Sequence, residues 1–295
     1  QKRGRTMLFW PSHHGPTPEL SEMTLKYQAQ LEKDGIPTEW IYHGPAAYPT
    51  IEAYQQAGFK DLFCCPAVES YSRVWPDHIT TFRAVQGFYR AGRDRGCGGA
   101  YCTTWEFMHG ALWENSWYGL LYAAECSWNP AGTSRTEYTR RFADVWWGVG
   151  APEASVTADL EAALFDPLPS SGPAALWHSG VYIRDLLWVG PDRTLREFAL
   201  KRPEVAAQVE ALRAAVARAR ERLEQAVPHI RRNVLTVRAA RLGYSLIGYT
   251  ADKLGGLQRA GAMYREAAAA APEAHDAVAT RLDAVRGILT GLQHQ

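Results

Sequence analysis

The chain has 295 residues, enough for one large domain or two smaller ones with a sizeable core. Hydrophobic residues make up 46% and charged residues 21%, and the formal net charge of +1 gives no electrostatic reason for nucleic acid or an anionic membrane as a partner. No apolar run approaches the ~20 residues that cross a bilayer. The start, Gln1-Lys2-Arg3-Gly4-Arg5, has neither an initiator Met nor an apolar stretch behind it, so a fragment or processed chain is expected.

Residues 5–10 are predicted as a strand. Residues 19–34 read as a helix carrying Leu20, Met23, Tyr27 and Leu31 at 3–4 spacing. A strand at 38–42 precedes a helix at 50–57 that Gly58 ends, and a strand at 62–65 precedes a helix at 78–91 that Gly92 ends. A strand at 99–103 then leads to a helix at 117–126. Strands alternating with helices imply parallel pairing with right-handed crossovers. Four βα units are half of a (β/α)8 barrel, so the expected fold class is α/β: the C-terminal half of a TIM barrel, completed by another polypeptide segment.

All eleven tryptophans lie at or before Trp188, and the last hundred or so residues are rich in Ala, Arg and Leu. Three parts are expected: residues 1–150 as the half-barrel, 151–200 as an irregular connector packed on it, and 201–295 as a helical bundle. In the bundle one helix runs from Pro203 to Val227, with Pro228 as punctuation. A second runs from Ile230 to Tyr249, a third spans 253–271, and a fourth carries Val278, Leu282, Val285, Leu289 and Leu292. Such a bundle could dimerise the chain.

The five cysteines (64, 65, 97, 102 and 126) show no metal-ligand spacing and read as buried free thiols of a reducing compartment, with a bacterial cytoplasm favoured. Cys64 and Cys65 on one strand point to opposite faces. His13, His14, His43 and His109 sit on separate loops without an i, i+4 pair and read as structural. No metal and no cofactor are expected.

Each predicted strand carries aromatic or polar residues at its C-terminal end, the face on which barrel enzymes build their sites. Trp10, Trp40 and Trp105 end three of them. Residues 96–130 add three more tryptophans, acidic side chains and His109. Indole faces stack on the C–H face of a sugar ring, and carboxylates accept paired hydroxyl hydrogen bonds. Trp10, Trp40, Trp105 and Glu106 are therefore the expected sugar-binding group, against the plainer reading of core tryptophans and an exposed carboxylate. Glu114 and Glu125 read as structural.

Leu8-Phe9-Trp10, Glu39-Trp40-Ile41-Tyr42, Ala57-Gly58-Phe59, Cys65-Pro66-Ala67 and Thr103-Thr104-Trp105-Glu106 occur in that order, followed by the run from Tyr122 through Trp128 to Pro130. This ordered set resembles the C-terminal half of the barrel of glycoside hydrolase family 20, the β-N-acetylhexosaminidases. The resemblance implies a retaining, substrate-assisted exo-hexosaminidase acting on glycans that end in N-acetylglucosamine or N-acetylgalactosamine. Trp10, Trp40 and Trp105 would line the N-acetyl pocket and Glu106 would bind sugar hydroxyls. Cys64-Cys65-Pro66 stands where the family carries a Tyr and an Asp, and Tyr71 or Glu69 would substitute. The family's Asp-Glu pair occurs nowhere in the chain, so the proton donor is expected outside it. A non-catalytic carbohydrate-binding or scaffold protein is the alternative.

Overall fold

The computed structural model describes residues 5–11, 34–70, 75–105, 112–129, 133–167, 205–269 and 275–293. It divides into two units, Gln1–Ser70, Pro76–Trp105 and Ser116–Phe142 in one, and Tyr71–Trp75, Glu106–Asn115 and Ala143–Gln295 in the other. The expected helix at 19–34 lies outside the described residues.

The first unit is built on four parallel strands in sequential order: β1 (Leu8–Phe9), β2 (Ile36–Trp40), β3 (Phe63–Cys65) and β4 (Gly99–Ala100). Helix α1 (Pro49–Gln56) follows β2, α2 (His78–Asp94) follows β3, and α3 (Trp113–Trp128) follows β4. The α/β alternation read from sequence is thus present as a small parallel sheet. Partner registers Leu8↔Ile36, Thr38↔Phe63, Trp40↔Cys65 and Phe63↔Gly99 put those residues on one face, and Phe9, Pro37, Glu39, Cys64 and Ala100 on the other.

Helices α1 and α2 cover the second face. Phe9 meets Phe59 at 6.0 Å between ring centroids, Phe59 meets Tyr54 at 5.6 Å, and Tyr48 stacks on Phe88 at 4.4 Å. Ile51, Val85 and Phe88 are fully buried there. Helix α1 starts on Pro49, whose missing N–H costs nothing at that position, and stops at Gly58 with φ +85°. Asp77 caps α2, one carboxylate oxygen accepting the Thr80 amide (2.9 Å) and the other its hydroxyl (2.8 Å).

The expected stop of α2 at Gly92 is corrected: the helix runs to Asp94, and the left-handed residue that ends it is Gly96, φ +70°. Gly92 serves close approach instead. A β-carbon there would lie 2.5 Å from Cys64 Sγ on β3. Gly92→Ala is expected to destabilise this unit by up to ~3 kcal/mol through overpacking, outweighing the ~1 kcal/mol gain in helix propensity. Urea unfolding would measure it.

Helices α3 and α4 (Arg135–Val145) contribute an aromatic cluster with α2. Phe82 stacks on Tyr122 at 3.6 Å, Tyr138 packs edge-on against Tyr122, and the Tyr138 hydroxyl donates to the Tyr118 carbonyl (2.8 Å).

The second unit is helical: α5 (Ala154–Phe165), α6 (Val205–Ala226) with a short 3-10 turn at Val227–His229, α7 (Val234–Ala268) and α8 (His275–Gln293). Residues 154–165, expected within an irregular connector, form α5 instead. An Ala- and Leu-rich run of good helix formers lies between Pro152 and Pro167 and is free to fold locally. Leu160, Leu212, Leu223, Tyr244 and Ile247 are its buried core, and the Tyr244 hydroxyl donates to the Ala163 carbonyl at 2.7 Å.

The break expected near residues 250–253 does not exist. Helix α7 continues for 35 residues through Gly255-Gly256. At Gly255 a β-carbon would come within 3.0 Å of the Arg213 guanidinium, so the glycine makes room for a neighbouring helix rather than ending its own.

Candidate functional site

The site grows from the ends of the strands in the first unit. On the sheet face opposite α1 and α2, alternation carries Thr38 to Trp40 along β2 and Phe63 to Cys65 along β3. Beyond β4 the parallel pairing continues: the Tyr101 amide donates to the Cys64 carbonyl (3.1 Å), Thr103 to Pro66 (3.0 Å), and Val68 to Thr103 (2.8 Å). This ladder brings Tyr101, Thr103 and Trp105 alongside the ends of β2 and β3.

The three tryptophans expected at a shared site are brought together. Trp10 lies 6.2 Å from Trp40 and 6.2 Å from Trp105 between ring centroids, tilted by 32° to the first and edge-on to the second at 89°. Tyr101 meets Trp10 at 6.3 Å and Tyr42 meets Trp40 at 5.4 Å. These five rings are one cluster.

The indole N–H groups of Trp40 and Trp105 are engaged within the protein. Trp40 donates to the Pro11 carbonyl (2.9 Å) and Trp105 to the Tyr42 hydroxyl (3.2 Å). The Trp105 amide also reaches Ser70 Oγ at 3.5 Å. With their polar edges held, these two rings have fixed orientations. Trp10 keeps 43% of its surface exposed, and Trp40, Tyr101 and Trp105 are half-buried. A large indole so placed is not core packing.

Burial pushes the Tyr42 phenol up to about 12, against the opposing hydrogen bonds to Thr103 and Trp105. It also raises Tyr101, with Thr38 and Trp10 acting the other way. Both tyrosines stay neutral and present hydroxyls at ordinary pH. Their chemistry is hydrogen bonding rather than proton transfer.

Glu69 lies on the loop after β3, 1% exposed, and its charge is felt at Tyr42. Its amide donates to Thr81 Oγ1 (2.9 Å) and its carbonyl accepts the Asp77 amide (2.9 Å), which ties this loop to the start of α2. Glu106 and Tyr71 lie outside the described residues, as do His13, His14 and His109. His43 is exposed, its carbonyl held by Arg83 (2.9 Å). Among the described residues no group of three or more His, Cys, Asp or Glu could hold a metal ion.

Glu125 accepts from Thr133 (2.6 Å) and pairs with Arg141 (2.8 Å). The one acidic residue of the four described strands, Glu39, faces α1, where burial raises its carboxyl to about 7, with Thr50 and Tyr54 acting the other way. It lies on the opposite face from the tryptophans. Tyr101 and Ser70 are site residues that the sequence reading passed over. Tyr101 was discoverable, being two and four residues before Thr103 and Trp105 in an alternating run.

No family model and no curated protein matches the chain. Among solved structures it is similar to one described as a GH138 enzyme targeting pectin rhamnogalacturonan II, at 10% sequence identity and a TM-score of 0.42. That similarity covers 91% of this chain and 41% of the other, so the chain spans about two fifths of the length of the structure it matches. The expected membership of glycoside hydrolase family 20 is corrected: no family model matches the chain, that family's included. The order of aromatic residues along the chain did not identify one family.

Proposed function

We propose that the Trp10–Trp40–Trp105 cluster is a carbohydrate-binding site, the sugar-stacking wall of a glycoside hydrolase whose catalytic carboxyls lie elsewhere. The observation that carries this reading is the combination of the fixed Trp40 and Trp105 indoles with an exposed Trp10 packed against both. A rigid aromatic platform loses little entropy when an apolar sugar face stacks on it. Tyr42, Tyr101 and Thr103 supply neutral hydroxyls beside it, and Glu69 and Glu106 are the candidate acceptors for sugar hydroxyls.

The organisation proposed for the whole is a half-barrel within residues 1–150, completed by a further polypeptide segment, with 151–200 and 201–295 as its appendages. Leu8, 49% exposed on the sheet, supports a covering partner beside the site. Helix α7 likewise leaves Leu235 and Leu242 open, which suits a self-associating bundle.

The preference for 2-acetamido sugars rested on the family likeness alone and goes with it. A second reading, binding without hydrolysis, is favoured by one observation. Among the described residues the sheet face that carries Trp10 and Trp40 holds no carboxylate. A glycan array probed with the full chain tests the shared part of both readings. Retention of a defined set of pyranosides, competed by the free sugar, is expected; no retained glycan contradicts both. Hydrolysis of a retained glycan by the chain alone would refute the placement of the catalytic carboxyls elsewhere.

A further inference from the structure

The first unit contains a pair of thiols that the sugar site does not use. Cys64 is on β3, 1% exposed, with its side chain on the helix-covered face of the sheet. Cys97 is in the turn between α2 and β4 and is partly exposed. Gly92 brings them together. A β-carbon at Gly92 would stand 2.5 Å from Cys64 Sγ, 3.7 Å from Cys64 Cβ and 3.6 Å from Cys97 Cβ, and the Gly92 carbonyl accepts the Cys97 amide at 2.9 Å. Both thiols thus flank Gly92, and neither is in a disulfide.

We propose that Cys64 and Cys97 are a site of reversible oxidation, closing to a disulfide that ties β3 to the turn leading into β4. Two of the remaining cysteines are placed apart from this pair. Cys65 is on the opposite sheet face, within reach of the Thr103 hydroxyl, and Cys126 is fully buried in α3. Cys97 is the accessible partner, and the roles of the two sulfurs differ accordingly. The neighbouring Cys64 thiol holds Cys97 below its ordinary range, helped by Arg95 and opposed by burial, Asp61 and Glu52. The proximity of Cys97, with burial, pushes Cys64 up. Attack therefore begins at Cys97.

With a small disulfide as oxidant the step balances. Cys97 releases its proton to solvent, and its thiolate attacks one sulfur of the reagent, forming a mixed disulfide and expelling one small thiolate. Cys64 gives its proton to that thiolate, attacks Cys97 Sγ and expels the second small thiolate, which takes up the proton that Cys97 released. Two protein thiols are oxidised and one small disulfide is reduced to two thiols. Access is through Cys97, which is partly exposed where Cys64 is buried.

The test uses the full chain incubated with oxidised glutathione, alkylated and mapped by mass spectrometry. The expected product has lost two hydrogens and yields one cross-linked peptide containing Cys64 and Cys97. Cys65, Cys102 and Cys126 are alkylated, and dithiothreitol reverses the change. Its melting temperature is expected to rise by roughly 10 °C. Cys97→Ser, at the partly exposed position, should abolish the cross-link without loss of fold, and Cys64→Ser should retain glutathione on Cys97. Glutathione persisting on Cys97 of the unsubstituted chain, a cross-link through any other cysteine, or five thiols still open to alkylation would each overturn the proposal.

Discussion

Trp10→Ala is expected to weaken glycan binding at least tenfold while leaving the melting temperature nearly unchanged. The asymmetry follows from where the ring sits. Trp10 keeps 43% of its surface exposed, so truncation removes little packing, yet it forms the centre of the cluster, touching Trp40, Tyr101 and Trp105. Losing a stacking indole from a binding site typically costs about 2 kcal/mol, more than a tenfold change in affinity. Trp40→Ala is different: that ring is half-buried, and its N–H holds the Pro11 carbonyl at 2.9 Å. It should lose both affinity and stability. Isothermal titration with a glycan retained on the array, beside thermal unfolding of the same samples, separates the two effects. Equal stability losses in the two variants, or no loss of affinity in Trp10→Ala, would assign the cluster to packing.

The second large effect concerns two buried groups of the first unit that oppose each other. Burial raises Glu39 from its ordinary 4.5 to about 7, so the folded state prefers it protonated. Its cost is absent below pH 4.5 and grows as pH rises to about 7. Burial lowers His78 from 6.5 to about 4, with Asp77 pulling the other way, so the folded state prefers it neutral. Its cost is absent above pH 6.5 and grows as pH falls to about 4. Between 4.5 and 6.5 the unfolded chain holds one proton fewer at Glu39 and one more at His78, and the two slopes cancel. Stability of the unsubstituted chain is expected to be nearly flat across that window.

Glu39→Gln should uncover the histidine, stability rising by about 3 kcal/mol from the lower to the upper end of the window. His78→Gln should give the opposite slope. Arginine-paired Glu52, Glu137 and Glu224 are held below their ordinary range and act below the window. Urea unfolding across the window checks this, and a Glu39→Gln profile as flat as that of the unsubstituted chain would contradict it.

The parallel sheet was legible because short apolar runs alternate with helical periodicity, and that pattern depends only on which side chains meet water. The ends of the elements were less so. Gly92 and Gly96 look alike in the sequence, yet one lies inside a helix to admit Cys64 Sγ and the other takes φ +70° to end it. A glycine marks either a backbone conformation or a missing side chain, and only the neighbour decides which.

At the site, Trp10, Trp40 and Trp105 could be placed together because strand ends in a parallel sheet converge. The role of Tyr42, which orients the Trp105 indole, depends on which N–H meets which hydroxyl, and no spacing encodes that. Family identity was not legible for a related reason. Aromatic residues at strand ends express what any sugar ring requires, so they point to the ligand's chemistry without specifying the lineage.

Saturation-transfer difference NMR with a retained glycan tests the stacking claim most directly. The axial ring protons of one sugar face should take the strongest saturation from the chain, and Trp10→Ala should remove that pattern. A bound glycan saturated evenly over its ring, or identically with Trp10→Ala, would contradict an aromatic sugar-binding wall at this site.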